Sequence, residues 1–315
     1  MRDLRIVFMG TPDFAVGILA KLIEANKNIV GVITAPDKPA GRGRKLIQSA
    51  VKKYALSQDL KILQPPNLKN EEFLKQLKSL DANLQIIVAF RMLPKVVWAM
   101  PKYGTFNLHA SLLPNYRGAA PINWAIINGE TKTGVTTFFI DEHIDTGEII
   151  AKSEIEIKSD ETVGTLHDKL MELGSKLVIL TLELIEQDTI QTQVQSTTAA
   201  LKEAPKLTSE NTRIDWKAPA KEIDAFIRGL SPYPGAWSIL ENNGEEIKVK
   251  IYAAIIENEI HTNGVGEIFT TKKKMRVAIK SGYLDIKEIQ LPGKRKMEVS
   301  ALLNGYSFNN NAKLL

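Results

Sequence analysis

Over the first two hundred residues, short β-branched apolar runs alternate with segments whose apolar positions recur every three or four residues. This is the pattern of a parallel sheet with covering helices. Residues 4–9 have strand character, and Phe14, Ile18, Leu19, Leu22 and Ile23 then fall on one helical face before a second strand at 29–34. Residues 84–90, apolar but for Gln85, form a strand suited to the middle of a sheet, and 104–111, 134–140 and 149–157 continue the series. A crossover helix is expected at 121–127 and a long closing helix at 162–186. Polar residues, Thr, Ala and Pro then dominate 188–205, the composition of a linker. Beyond it the pattern changes to one helix at 220–230, a turn at Pro232, Pro234 and Gly235, and short strands such as 248–255 and 276–279. Small β-barrels of the oligonucleotide-binding type have this pattern, although periodicity alone does not separate a barrel from a sandwich. The expected organisation is an α/β domain at 1–187, a linker at 188–205 and a smaller OB-like domain at 206–315.

Composition narrows the chemistry. The 315 residues, 44% of them hydrophobic and 24% charged, are enough for two compact domains of ordinary globular make-up. The absence of cysteine excludes disulfides, thiolate zinc sites and a cysteine nucleophile. His109, His143, His167 and His261 have no metal-ligand spacing, so no metal is expected. The first apolar run is too short for a signal-peptide core, and no run approaches the roughly 18 apolar residues of a membrane span, so a cytoplasmic protein is expected. Of the net charge of +5, residues 206–315 contribute +4, from 17 basic and 13 acidic side chains. Such an excess suits either a solvated surface or an anionic partner.

The candidate chemistry begins at Thr105-Phe106-Asn107-Leu108-His109. In a strand, Asn107 and His109 project to one face while Phe106 and Leu108 project to the other. After the crossover helix and the strand ending at Ile140, a polar turn, Asp141-Glu142-His143-Ile144-Asp145-Thr146-Gly147, is expected at the same sheet end, where open parallel sheets hold ligands. Asp145 would there orient the His109 ring; the alternative makes Asp141 and Asp145 turn formers. Gly10-Thr11-Pro12 follows the first strand but lacks the second and third glycines of a dinucleotide fingerprint, which argues against a dehydrogenase.

The run Asn107-Leu108-His109-Ala110-Ser111-Leu112-Leu113-Pro114-Asn115-Tyr116-Arg117-Gly118-Ala119-Ala120-Pro121, together with 141–147, resembles the methionyl-tRNA formyltransferase family. The likeness covers nearly the whole chain. It includes Phe8-Met9-Gly10-Thr11-Pro12-Asp13-Phe14, the loop Pro36-Asp37-Lys38-Pro39-Ala40-Gly41-Arg42-Gly43-Arg44-Lys45, and Arg213-Ile214-Asp215-Trp216. The resemblance implies a Rossmann-like formyltransferase domain followed by a tRNA-binding barrel, acting as a monomer. It implies transfer of the formyl group of 10-formyltetrahydrofolate to the methionine amine of initiator methionyl-tRNA.

By the same resemblance Asn107, His109 and Asp145 are catalytic, with Asn107 and protonated His109 donating to the oxygen on which charge develops. Ser111, Leu112, Leu113, Pro114, Phe90, Arg91, Met92 and Asp141 contact the folate, and Arg42, Arg44, Lys45 and Lys206 contact tRNA. The Gly/Pro-rich setting of Arg42, Arg44 and Lys45 suits cations that must adapt to phosphates. Of the basic residues of the second domain, Lys206, Lys248, Lys250, Lys272, Lys273, Lys274, Arg276, Lys294, Arg295 and Lys296 supply a cationic surface. The sequence departs from the commoner family pattern at 89–94, which is shortened and has Arg91 where glycine is usual, and at His143. A formyltransferase for a small amine, such as an amino sugar or glycinamide ribonucleotide, is the nearest alternative. A folate-sensing RNA-binding protein without catalysis is a further one.

Overall fold

The computed structural model describes residues 1–40, 45–196 and 200–315, which form two compact units. The first comprises 1–118, 132–155 and 167–203; the second comprises 119–131, 156–166 and 204–315. No helix among the described residues is long and apolar enough to cross a membrane.

In chain order the first half contains β1 (Ile6–Gly10), α1 (Asp13–Glu24), β2 (Ile29–Ile33), β3 (Lys38–Ala40), β4 (Lys45–Ile47), α2 (Ala50–Ser57), β5 (Ile62–Leu63), α3 (Glu71–Ser79), β6 (Leu84–Val88), α4 (Lys95–Trp98), β7 (Thr105–His109), β8 (Arg117–Gly118), α5 (Pro121–Ile127), β9 (Lys132–Phe139), β10 (Ile149–Glu156) and α6 (Val163–Glu186). Seven strands form one sheet in the order β10-β9-β7-β6-β1-β2-β5. β5, β2, β1, β6 and β7 are mutually parallel. Every residue of β1 and β6 is buried, as expected of central strands covered on both faces.

β9 is the exception, pairing antiparallel with β7 so that Phe106 faces Phe139 and His109 faces Thr136. The expected crossover helix, α5, groups with the second unit, where Asn123 donates to the Gly229 carbonyl at 2.8 Å. Between residues 50 and 80, α2 and α3 start at side-chain caps. Ser49 accepts from Lys52 N, and Asn70 accepts from Phe73 N with Glu71 and Glu72 in the first turn.

β11 (Glu203–Ala204) and α7 (Ala220–Leu230) lead into the second unit's strands: β12 (Ala236–Asn242), β13 (Glu245–Glu257), β14 (Ile268–Thr270), β15 (Met275–Ile279), β16 (Gly282–Gln290) and β17 (Met297–Glu298), then α8 (Val299–Leu302) and β18 (Lys313–Leu314). The antiparallel order is β14-β15-β16-β13-β12-β18. Its ends meet: Ile268 N donates to Ala312 O and Leu314 N to Gly266 O, which nearly closes a barrel. Closure leaves few free edges and seals a core that includes Val249, Ile251, Met275, Val277, Leu284 and Ile286. The stretch 188–205 is tied down in part, since Gln193 exchanges both backbone hydrogen bonds with Ile149.

Candidate functional site

In β7, Phe106 and Leu108 are buried on one face, at 0% and 3% exposure, and Asn107 and His109 occupy the other. His109 is itself 6% exposed, and its Nε2–H donates to the Tyr116 carbonyl at 2.8 Å. A carbonyl only accepts, so this contact fixes the hydrogen on Nε2 and leaves Nδ1 as the position that gains or loses a proton. Nδ1 faces Asp145 Oδ2 at 3.7 Å. Beside it, Asn107 Oδ1 is buried without a hydrogen-bond partner among the described residues. Such an orphaned acceptor costs about 1–3 kcal/mol, a penalty that a fold tolerates where the group serves a purpose.

Asp145 reaches His109 by an unexpected route. Because β9 is antiparallel, Ile140 N donates to Thr105 O, and the loop leaves the sheet beside the start of β7, at the opposite end from His109. It then folds back along the strand. Gly147 makes the return possible: a Cβ there would lie 1.7 Å from Phe139 O, a distance no side chain tolerates. Gly118 N donates to Asp145 Oδ2 at 3.0 Å and aims the carboxylate. Asp145 and Tyr116 both have left-handed backbones, at φ 55° and 61°. Each costs a non-glycine residue about 1–3 kcal/mol, and such positions cluster at functional sites. Asp141 does different work, accepting from His143 N and Thr146 Oγ1 to close the turn.

The expected folate contacts divide by side-chain role. Ser111 is fully buried and donates to Asn115 O, and Leu113 packs with Phe138 and Ile149. Lys152 donates to the Leu113 carbonyl, and burial pushes its ammonium below the usual lysine value. Leu112 and Pro114 are half-buried. With Leu113 N donating to Thr136 Oγ1 and the Ser111 carbonyl accepting from it, the accessible part of this loop is the side chains of Leu112 and Pro114. Arg91 donates to the Pro65 and Pro66 carbonyls, and partial burial lowers its pKa. Arg91, exposed Met92, Asn67, Lys69 and Lys95 line an open cleft of about 670 Å³, whereas half-buried Phe90 packs against the core. Lys95 holds Glu142 at 2.5 Å, and this bond keeps the Glu142 carboxyl below its ordinary value.

Of the expected tRNA contacts, Arg42 and Arg44 lie outside the described residues, and Lys45 opens β4. At the root of that hairpin Asp37 accepts from Gln64 and from Lys52, which hold its carboxyl below the usual range. Lys206 is exposed. Several cations of the second unit are paired locally: Lys274 with Glu257, Arg276 with Glu259, and Lys296 with Glu288. Lys248 lies 3.7 Å over the Trp237 ring, and Lys250 donates to Pro234 O. Lys272, Lys273, Lys294 and Arg295 are exposed.

Sequence reasoning passed over the Tyr116 carbonyl, the Gly118 N–H and Gln195. The first two are backbone groups, which no side-chain pattern reveals. Gln195 sits in a stretch whose polarity indicated only a linker.

The formyl transferase profile matches residues 4–182, and the formyl transferase C-terminal domain profile matches residues 206–307. The methionyl-tRNA formyltransferase of Flavobacterium johnsoniae is 59% identical over 314 residues, covering 100% of both chains. That of Bacteroides thetaiotaomicron is 51% identical over 317 residues, covering 99% of this chain and 98% of its own. Among solved structures, the Helicobacter canadensis N-formyltransferase in complex with folinic acid and dTDP-3-aminofucose superposes with a TM-score of 0.63 at 21% identity, over 90% of this chain and 98% of its own. The sugar 3N-formyl transferase WlaRD, determined with dTDP and 5-N-formyl-THF, gives 0.64 at 21% identity, over 94% of this chain and 100% of its own. At that identity the likeness is one of fold. Two matched domains and relatives identical at more than half of their positions along their full length lead to one conclusion: this chain belongs to the methionyl-tRNA formyltransferase family.

Proposed function

We propose that this chain transfers the formyl group of 10-formyltetrahydrofolate to the free amine of methionine on initiator methionyl-tRNA, with Asn107, His109 and Asp145 performing the chemistry. The observation that carries the catalytic assignment is the orphaned amide oxygen of Asn107 beside a histidine whose free nitrogen faces a carboxylate. The high-identity relatives, all full-length, support the choice of acceptor.

The folate supplies an activated formyl carbonyl and a departing nitrogen. Asn107 is suited to the oxygen at that carbon, since its amide N–H donates to the atom that gathers charge. The amine must lose a proton as it attacks. With Nε2 held by Tyr116, His109 takes that proton on Nδ1, and Asp145 neutralises the imidazolium so formed. The same proton is then available to the departing folate nitrogen. The Nε2 hydrogen engages Tyr116, so stabilising the oxygen falls to Asn107, and His109 handles the proton.

Folate binding is assigned to the segment Ser111, Leu112, Leu113 and Pro114, through the accessible Leu112 and Pro114, and to the cleft at Arg91 and Met92, with Phe90 supporting that turn and Asp141 shaping the neighbouring loop. Catalytic work is assigned to residues 1–187, and tRNA contact to Arg42, Arg44, Lys45, Lys206 and the exposed cations of 206–315, with 188–205 joining the two. An amino-sugar acceptor has support only from neighbours near 21% identity. The test compares formylation of charged initiator tRNA with formylation of a nucleotide-linked amino sugar. Faster kcat/KM on methionyl-tRNA is expected; turnover of the amino sugar alone would reject the reading.

A further inference from the structure

Gln195 lies in the polar stretch after α6, where composition indicates nothing more than a connector, yet it is 5% exposed. All four hydrogen-bonding positions of its amide are used. Nε2 donates to the Asp145 carbonyl at 2.9 Å and to the Gly147 carbonyl at 2.8 Å. Oε1 accepts from Arg117 Nε at 3.2 Å and from Arg117 Nη2 at 2.7 Å. Two carbonyls on one side and a guanidinium on the other allow the amide a single orientation.

These bonds close a ring around the candidate carboxylate. Gly118 N, next to Arg117 in β8, donates to Asp145 Oδ2. The carboxylate is thus held by β8, and the backbone that carries it is held by Gln195, which also anchors β8 through Arg117. Asp145 needs such support because its left-handed backbone is unfavourable and its loop runs back from the far end of β7. Gln193, two residues earlier, secures the segment through backbone bonds to Ile149, so the side chain of Gln195 is free to serve the loop.

We infer that Gln195 is a positioning residue for formyl transfer: it fixes the backbone of Asp145 so that the carboxylate faces His109 Nδ1. The inference rests on the catalytic role proposed for Asp145. Gln195→Glu retains an acceptor for Arg117 but presents an anion to two carbonyls that require donors, whereas Gln195→Ala removes both functions. A misplacement of about 1 Å in a catalytic group lowers rates on the order of a hundredfold.

The experiment measures kcat and both KM values for formyl transfer by Gln195→Ala, Gln195→Glu, Gln193→Ala and Asp145→Asn, and by Gln195→Ala combined with Asp145→Asn, with a thermal melt for each. Both Gln195 variants should lose at least about tenfold in kcat, with KM for folate and for methionyl-tRNA within about threefold of the parent. Gln193→Ala should match the parent. In the double variant the Gln195 change should add nothing further, because the group it positions is already gone. Parental kcat in folded Gln195→Glu, or losses that multiply in the double variant, would overturn the inference. Parental turnover in Asp145→Asn would instead overturn the catalytic reading beneath it.

Discussion

The loop from Asp141 to Gly147 and the charged strands of the barrel are both rich in ionisable side chains, but they use them in opposite ways. In the barrel, Lys274, Arg276 and Lys296 close onto Glu257, Glu259 and Glu288. Exposed pairs of this kind contribute little, because water screens them. In the loop, Asp141 is likewise consumed by its own turn, whereas Asp145 is directed at a histidine nitrogen next to an amide oxygen with no partner among the described residues. Number of charges therefore says little about function; what distinguishes the site is polar capacity left open in a place where the fold has gone to some cost to bring it.

The comparison can be broken first at its most open group. Asn107→Ala removes the amide proposed to donate to the reacting carbonyl oxygen and should lower kcat by roughly a hundred- to a thousandfold, with little change in folate affinity by equilibrium titration. Next comes the path of the loop. Gly147→Ala places a methyl group against Phe139 O and should displace Asp145, with a loss of about tenfold or more in turnover and a lower melting temperature. On the barrel side the effects should be smaller and graded. Replacing Lys272, Lys273, Lys294 or Arg295 by alanine should reduce the slope of log K for tRNA against log salt by about 0.7–0.9 for each phosphate contact removed. Replacing locally paired Lys296 should leave that slope unchanged.

The smallest effect concerns Asp37. Its carboxyl is held low by Gln64 and Lys52, so the stability it contributes is fully present above the ordinary aspartate value of 3.8 and disappears as pH falls through the lowered value. Asp37→Asn should accordingly lower the melting temperature slightly at neutral pH and match the parent below that window.

The parts of the fold governed by periodicity were legible beforehand. Helices α5 and α7 begin and end where the apolar spacing places them, and the alternation in Thr105–His109 correctly sorts Phe106 and Leu108 from Asn107 and His109. The direction of β9 was not legible, since a helix before a strand normally signals a parallel crossover, and only the association of α5 with α7 shows otherwise. The proximity of Asp145 to His109 was expected for one reason and holds for another: the loop starts from the wrong end of β7 and folds back. Gln195 was invisible because a buried amide and a solvated one have the same letter. The cations were visible as residues but not as partners, since pairing with Glu257, Glu259 or Glu288 depends on barrel register.

The two aspartates of one loop offer the most direct test. Single-turnover formyl transfer to methionyl-tRNA, measured for Asp145→Asn and Asp141→Asn at saturating folate, separates the carboxylate that faces His109 from the one that closes the turn. The expected result is a loss of at least about a hundredfold for Asp145→Asn and less than about tenfold for Asp141→Asn. Equal rates for the two variants, or a parental rate for Asp145→Asn, would contradict the assignment of the proton-handling pair to His109 and Asp145.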